Sequence, residues 1–323
     1  MPRPLVILAA DIGGTHARFR LARSEHGRID VLDEATLLVA AHESVEAAAS
    51  AFVARSAPPV IDRACLAVAG PIEGRVARLT NAAWRIDADA IAARLGIGEL
   101  VLCNDFEAAA FGLDALAPSA CVALQTPAEP PQGPFAGEAR RLLIGAGTGL
   151  GVAYLFRGAD GLRVIAGANA TCPPSPADDE QMALLAALRT ELGRVTAEHV
   201  LSGSGLARLY RFVRGQGDPR GEDAVSVARR FSEREADAVH AVSLFASIFG
   251  AVAGDHALSV LATGGVFIAG GIPPRFAATF AAGGFIDAFR AKGVHAALML
   301  RMPVHLVCDD RLGLHGAVLR ALA

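Results

Sequence analysis

The spacing of apolar and polar residues along this chain predicts two similar halves, each opening on the same kind of hairpin. Leu5 to Ala10 is a short apolar run, the mark of a buried strand, and it stops at Asp11. Gly13, Gly14 and Thr15 follow Ile12, and Ala17 to Ala22 then resumes an alternating apolar pattern. Residues 7–20 therefore read as a β-hairpin around a Gly-rich, polar turn. Residues 142–156 repeat the pattern, with an apolar strand, Gly147-Thr148-Gly149, and a second apolar strand. A hairpin that recurs after about 130 residues implies two half-domains built alike and facing each other across one ligand.

The rest of the pattern alternates strands with helices, which is an α/β arrangement. A third short strand is expected before residue 40. His42 to Ala57 has an alanine-rich helical face and ends at Pro58-Pro59. Ala64–Ala69 reads as a buried strand stopped by Gly70-Pro71, and Arg75–Leu79 as another. Leu100–Cys103 is a strand ending at Asn104-Asp105, and Phe106 opens a helix to about Leu116. Residues 126–138 and Gly158 to Pro176 read as loops. Asp178 to Arg194 is an amphipathic helix with Asp178, Asp179 and Glu180 in its first turn. Short helices follow near Thr196–Leu201 and Leu206–Val213, then a charged loop from Arg214 to Glu222. A long helical region from Ala224 to Leu261 reads as a buried spine. Val266–Ala269 is a strand ending at Gly270-Gly271, Val304–Val307 is the last strand, and Leu312–Leu322 is the last helix.

Three places carry candidate chemistry. Successive glycines let backbone N–H groups point into one concavity, which holds phosphate oxygens without side-chain charge. Asp11 beside the first turn is placed to hold a divalent cation, and Thr15 adds a hydroxyl; the plain alternative is a Gly-rich hairpin with a solvated Asp. Asn104-Asp105 lies where α/β proteins place ligands, at the carboxyl end of a strand that opens a helix. Both residues are also favoured helix N-caps, and capping alone is the other reading. Gly270-Gly271 ends a strand and, on its residues alone, reads as a Gly-Gly-Ile-Pro turn. Other machinery is excluded. The chain has a single lysine, Lys292, so it has no P-loop Gly-Lys-Ser/Thr. From Gly145 the sixth position is Leu150, and the residues after it are strand-like, so there is no Gly-x-Gly-x-x-Gly dinucleotide fingerprint. The nine histidines form no i, i+4 pair, and no Gly-x-Ser-x-Gly elbow occurs.

Composition narrows the class further. At 323 residues, 53% hydrophobic and 20% charged, the chain can bury a large core, and its length favours two lobes. A net charge of −3, with no basic run, argues against nucleic acid or an anionic membrane as partner. The N-terminal apolar run ends at Asp11 and does not read as a signal peptide. The longest apolar stretch, Ala241–Gly254, falls short of the ~20 residues that span a bilayer. Five cysteines without a Cys-x-x-Cys pair give neither a disulfide framework nor a zinc site, and point to the reducing cytoplasm.

Asp11-Ile-Gly-Gly-Thr15-His-Ala-Arg18 resembles the first phosphate motif of bacterial ATP-dependent glucokinases, within the actin/hexokinase/Hsp70-like ATPases. Leu102-Cys-Asn104-Asp105-Phe106, Gly145-Ala-Gly-Thr-Gly-Leu-Gly151, Glu198-His-Val-Leu-Ser-Gly203 and Gly264-Gly-Val-Phe-Ile-Ala-Gly-Gly-Ile272 come in that family's order and spacing. The zinc-binding cysteine cluster of the related repressor-type sugar kinases is missing. The resemblance implies a two-lobed actin-like ATPase (ribonuclease H-like) fold with duplicated phosphate-binding hairpins. The small lobe would comprise residues 1–115 plus about 305–323, and the large lobe residues 116–304. It implies ATP with Mg²⁺, transfer of the γ-phosphoryl group to a sugar hydroxyl, closure of the lobes over the sugar, and a cytoplasmic homodimer. By the same resemblance Asp11, Ile12, Gly13, Gly14, Thr15, Gly147, Thr148 and Gly149 contact the phosphates, with Asp11 toward the metal. Gly270 and Gly271 line the adenosine site. Asp105 is the base, and Asn104, Asp105, Glu198, Asn169 and Thr171 face the sugar. The family's Asn-x-x-Trp segment near the sugar corresponds to Asn81–Trp84, although a lone tryptophan also serves simply as packing.

One loop departs from the family. Glucokinases of this branch carry Gly-Glu-Gly-Gly-His there, and this chain reads Gly167-Ala168-Asn169-Ala170-Thr171, with Pro173-Pro174 after Cys172. A missing charged and a missing neutral hydrogen bond weaken binding by about 2–4 kcal/mol, or roughly 30- to 1,000-fold. The expectation is a glucokinase-type kinase with weakened glucose affinity. The alternatives are a kinase for another sugar or polyol, and a catalytically impaired nucleotide or sugar sensor.

Overall fold

Residue periodicity decides how the first sheet is buried. The computed structural model describes residues 3–58, 60–79, 84–128, 140–159, 161–167, 172–215 and 223–323. The chain divides into two compact units, Met1–Leu116 with Asp310–Ala323, and Ala117–Asp309.

The first unit contains β1 (Leu5–Ile12), β2 (His16–Glu25), β3 (Arg28–Leu38), α1 (Val45–Ser56) and β4 (Arg63–Val68). Next come β5 (Ile72–Glu73), β6 (Val76–Arg78), β7 (Arg85–Asp87), α2 (Ala88–Leu95), β8 (Glu99–Asn104) and α3 (Asp105–Gly112). Its main sheet has the order β3-β2-β1-β4-β8, and β5-β6-β7 form a small separate sheet. β1 pairs antiparallel with β2, where Asp11 lies opposite Arg18, and parallel with β4. Successive side chains of β1 enter different cores. Leu8, Ala10 and Ile12 pack with Val45, Phe52 and Ile91 under α1 and α2. Ile7 and Ala9 pack with Ala108, Leu314 and Val318, under α3 and the C-terminal helix. Burial on both faces is why β1 reads as an unbroken apolar run rather than an alternating one. The third strand, expected to be short, runs for 11 residues.

The second unit contains β9 (Cys121–Gln125), β10 (Arg140–Ala146), β11 (Leu150–Gly158), β12 (Gly161–Gly167), α4 (Asp179–Leu192), α5 (Gly203–Val213), α6 (Ala224–Ser232) and α7 (Ala236–Val260). It continues through β13 (Gly265–Ala269), α8 (Ala277–Ala281), α9 (Gly284–Arg290), α10 (Ala296–Met299) and β14 (Val304–Val307), and α11 (Leu312–Leu322) returns to the first unit. The sheet order is β12-β11-β10-β13-β14-β9. β10 pairs antiparallel with β11 and parallel with β13, which repeats the relation of β1 to β2 and β4. The duplicated hairpins thus seed duplicated sheets, and β9 is an addition to the second.

The helical region expected from Ala224 to Leu261 is two helices. Arg234 sits in the left-handed region (φ 61°) and breaks the chain between α6 and α7. Among the described residues, α7 alone has the length and apolarity to cross a membrane, and 61% of its apolar window is buried. Its Phe245 and Phe249 are fully buried in the second unit's core, which accounts for its composition.

Candidate active site

The first hairpin turn closes by its own backbone. Gly13 N–H donates to His16 O (2.9 Å), and Ala69 N–H donates to Ile12 O (3.0 Å). The Gly13 amide is therefore used within the turn, and the Gly14 and Thr15 amides at the tip are the ones open to a ligand. Asp11 stands just below, at the end of β1. Its carboxylate is 3.6 Å from Arg18 Nη1, and Arg18 Nη2 reaches Asp310 at 3.5 Å. Burial pushes the Asp11 carboxyl above the ordinary carboxylate range, Arg18 counters that, and the charge of Asp310 adds to it. A partly buried carboxylate gains from a nearby cation, which favours its charged form.

β8 delivers Asn104 and Asp105 to the start of α3. Asn104 is the N-cap, and its side-chain oxygen accepts from Phe106 N–H at 2.9 Å. Asp105 Oδ1 accepts from the same N–H at 2.9 Å. Capping is thus real, and it fixes both side chains at the strand end. The Asp105 carboxyl is pushed up to about 6, first by burial and then by the charge of Asp11, against the stabilising Phe106 and Asp105 amides and Asn104. A carboxylate of that basicity takes a proton near neutral pH more readily than a solvated one.

The second unit holds the other set of residues. Gly147 N–H donates to Gly149 O (2.9 Å), so that amide too is closed within its turn, and the Thr148 and Gly149 amides remain open. Glu198, in a short 3₁₀ turn at Ala197–His199, accepts from Leu150 N–H at 3.0 Å. Its carboxylate lies where a Gly149 side chain would be, with Oε2 2.6 Å from the position of a Cβ. Gly203 N–H donates to Gly147 O at 2.9 Å. The Glu198-to-Gly203 segment is therefore stitched to the hairpin from both ends, a link that sequence reading missed because the two stretches lie some fifty residues apart.

Gly270 has a positive φ of 92°, and a side chain there would collide with the backbone of Ala146. The missing side chain is thus required first by the base of the second hairpin, whereas Gly271 has open space around it. Trp84 is 6% exposed and packs in the first unit's core, with Nε1 donating to His42 O at 3.3 Å. Asn81 lies outside the described residues. So do Ala168, Asn169 and Thr171 of the divergent loop.

A family model described as Glucokinase matches residues 8–323. A glucokinase of Yersinia pestis (strain Pestoides F) is 35% identical over 314 residues, covering 96% of this chain and 94% of that relative. Among solved structures, a glucokinase from an Antarctic psychrotroph superposes with a TM-score of 0.87 at 29% identity, covering 100% of this chain and 99% of that one. A Balamuthia mandrillaris glucokinase, solved in complex with glucose, gives a TM-score of 0.77 at 22% identity over 99% of this chain and 94% of that one; at that identity the likeness shows the fold alone.

Proposed function

Because the chain belongs to the glucokinase family, ATP-dependent hexose kinases with the actin-like ATPase fold, we propose that Asp105 is the general base of its phosphoryl transfer. The attacking sugar hydroxyl gives its proton to Asp105 as its oxygen bonds to the γ-phosphorus, and the bond to the bridging oxygen breaks to release ADP. Such a reaction asks the protein for positioning and charge neutralisation rather than covalent chemistry. The Gly14, Thr15, Thr148 and Gly149 amides hold phosphate oxygens, with Asp11 to Gly13 and Gly147 shaping the turns. Gly270 and Gly271 border the adenosine. Asn104, Glu198, Asn169 and Thr171 hydrogen-bond the sugar.

Asp11 suits Mg²⁺, which keeps most of its waters and takes one or two carboxylates together with substrate phosphates. The partly buried carboxylate of Asp11, raised above its ordinary range by burial, fits that role. When bound, Mg²⁺ neutralises charge on the transferring phosphates.

The observation that carries this reading is the Asp105 carboxyl held at a strand end with its pKa pushed up to about 6. Its test is Asp105→Asn, which should keep the fold and nucleotide binding while turnover falls by about 10²-fold or more. Near-normal turnover would reduce Asp105 to a helix cap. A second reading concerns the sugar. Ala168 and Thr171 replace a carboxylate and an imidazole of the family loop, so glucose is bound weakly and another hexose is preferred. The five free cysteines fit a cytoplasmic enzyme, and family membership favours a homodimer.

A further inference from the structure

The C-terminal helix α11 contributes no side chain to the chemistry above, yet its Gly313 leaves the space that the Asp11 carboxyl faces. A Cβ built on Gly313 would stand 3.0 Å from Asp11 Oδ2, 3.1 Å from Cγ and 3.4 Å from Oδ1. All three atoms of the carboxyl group therefore lie within 3.4 Å of where a side chain at this position would begin. We propose that Gly313 is a positioning residue for phosphoryl transfer: its missing side chain is the seat of the Asp11 carboxylate. The proposal rests on the reading that Asp11 serves the metal and phosphates.

Neither partner of this contact can back away except the carboxylate itself. The Asp11 backbone lies in β1, paired on one side to Arg18 of β2 and on the other to Ala67 of β4. α11 is held from three directions. Leu314, Ala317, Val318 and Ala321 are buried against the sheet. Gly316 and Gly112 bring α11 and α3 into backbone contact, since a side chain at Gly316 would overlap Ala108 O and one at Gly112 would overlap Leu312 O. Buried Arg20 joins Glu34 (2.7 Å) to His315 Nδ1 (2.9 Å), and Arg311 reaches Glu34 at 3.2 Å. A methyl group at position 313 must therefore be absorbed by the Asp11 side chain, a shift of a few tenths of an ångström.

The test is Gly313→Ala beside Asp11→Asn and the double variant. The measurements are melting temperature, ADP affinity by calorimetry with Mg²⁺ and with EDTA, and steady-state ADP release against Mg²⁺ concentration. Misplacing a reacting group by about 1 Å can cost roughly 10²-fold, so a smaller shift should cost about tenfold in kcat. We expect that loss together with a several-fold rise in half-saturating Mg²⁺ and a weakened Mg²⁺ enhancement of ADP affinity. ADP affinity in EDTA should be unchanged, and the melting temperature unchanged or higher, because Ala is the better helix former. The double variant should lose no more than Asp11→Asn alone, since both act through one carboxylate.

Wild-type kcat and Mg²⁺ dependence in Gly313→Ala, with Asp11→Asn inactive, overturns the positioning role and leaves the reading of Asp11 intact. A fully active Asp11→Asn overturns both. A Gly313→Ala protein that melts lower and also loses metal-free ADP affinity assigns Gly313 to helix packing and overturns the proposal.

Discussion

Asp105→Asn should make this protein more stable at neutral pH while removing its activity. The carboxyl is pushed from 3.8 to about 6 in the folded chain by burial and by Asp11. A carboxylate raised on folding favours the folded state in its protonated form. That contribution is complete below pH 3.8 and is lost as pH rises through about 6. Above pH 6 the ionised group costs the fold about 3 kcal/mol, from a shift of roughly 2.2 units at 1.36 kcal/mol each. This is an upper bound, because Asp105 is only half-buried and water screens part of the cost. Asparagine keeps the oxygen that accepts from Phe106 N–H, so the cap survives, and the neutral side chain removes the electrostatic cost. Urea titrations at pH 7.5 and 5.0 should show the variant about 1–3 kcal/mol more stable at pH 7.5, with about half of that gain left at pH 5.0. Turnover should fall about 10²- to 10⁴-fold, and wild-type kcat/KM should decline below pH 6 as the base is protonated. A variant less stable than wild type at pH 7.5 would refute the electrostatic argument, and one that keeps its turnover would refute the catalytic one.

Asp11→Ala should abolish activity at ordinary Mg²⁺ while changing ADP affinity in EDTA little; unchanged activity would remove Asp11 from the metal. Gly270→Ala adds a side chain at φ 92° against the Ala146 backbone, and should cost about 2–5 kcal/mol of stability by denaturant titration. A wild-type midpoint would show that the second hairpin can shift to make room. Ala168→Glu with Thr171→His should lower the glucose KM by roughly 30- to 1,000-fold; no gain would locate any weakness toward glucose elsewhere.

The parts of the fold legible in the sequence are those buried on both faces. β1 and β10 stand out as apolar runs because each is covered on both sides, and their polar turns interrupt them sharply. β12 was hidden because Ile165, an exposed residue, breaks the alternation of its strand between two glycines. The division of α6 from α7 was hidden for another reason. Glu233, Arg234 and Glu235 are all acceptable in a helix, and only the left-handed turn at Arg234 reveals the break. Residue identities at the two hairpin tips and at Asn104-Asp105 were readable, since each is a local cluster at a strand end. Contact between distant stretches was not readable: Glu198 against Gly149, Gly270 against Ala146, and Gly313 against Asp11. The Asp105 shift belongs to the same class, because burial and the nearness of Asp11 arise only from the folded sheet.

Phosphoryl transfer by this chain is tested most sharply by a coupled ADP-release assay of the purified protein against a panel of hexoses, with Asp105→Asn alongside. Sugar-dependent ADP release that the substitution removes is expected, with a glucose KM above the millimolar range and a lower KM for another hexose. A protein that binds nucleotide yet releases no ADP with any sugar would contradict the assignment of phosphoryl transfer, and a sub-millimolar glucose KM would contradict the weakened sugar loop.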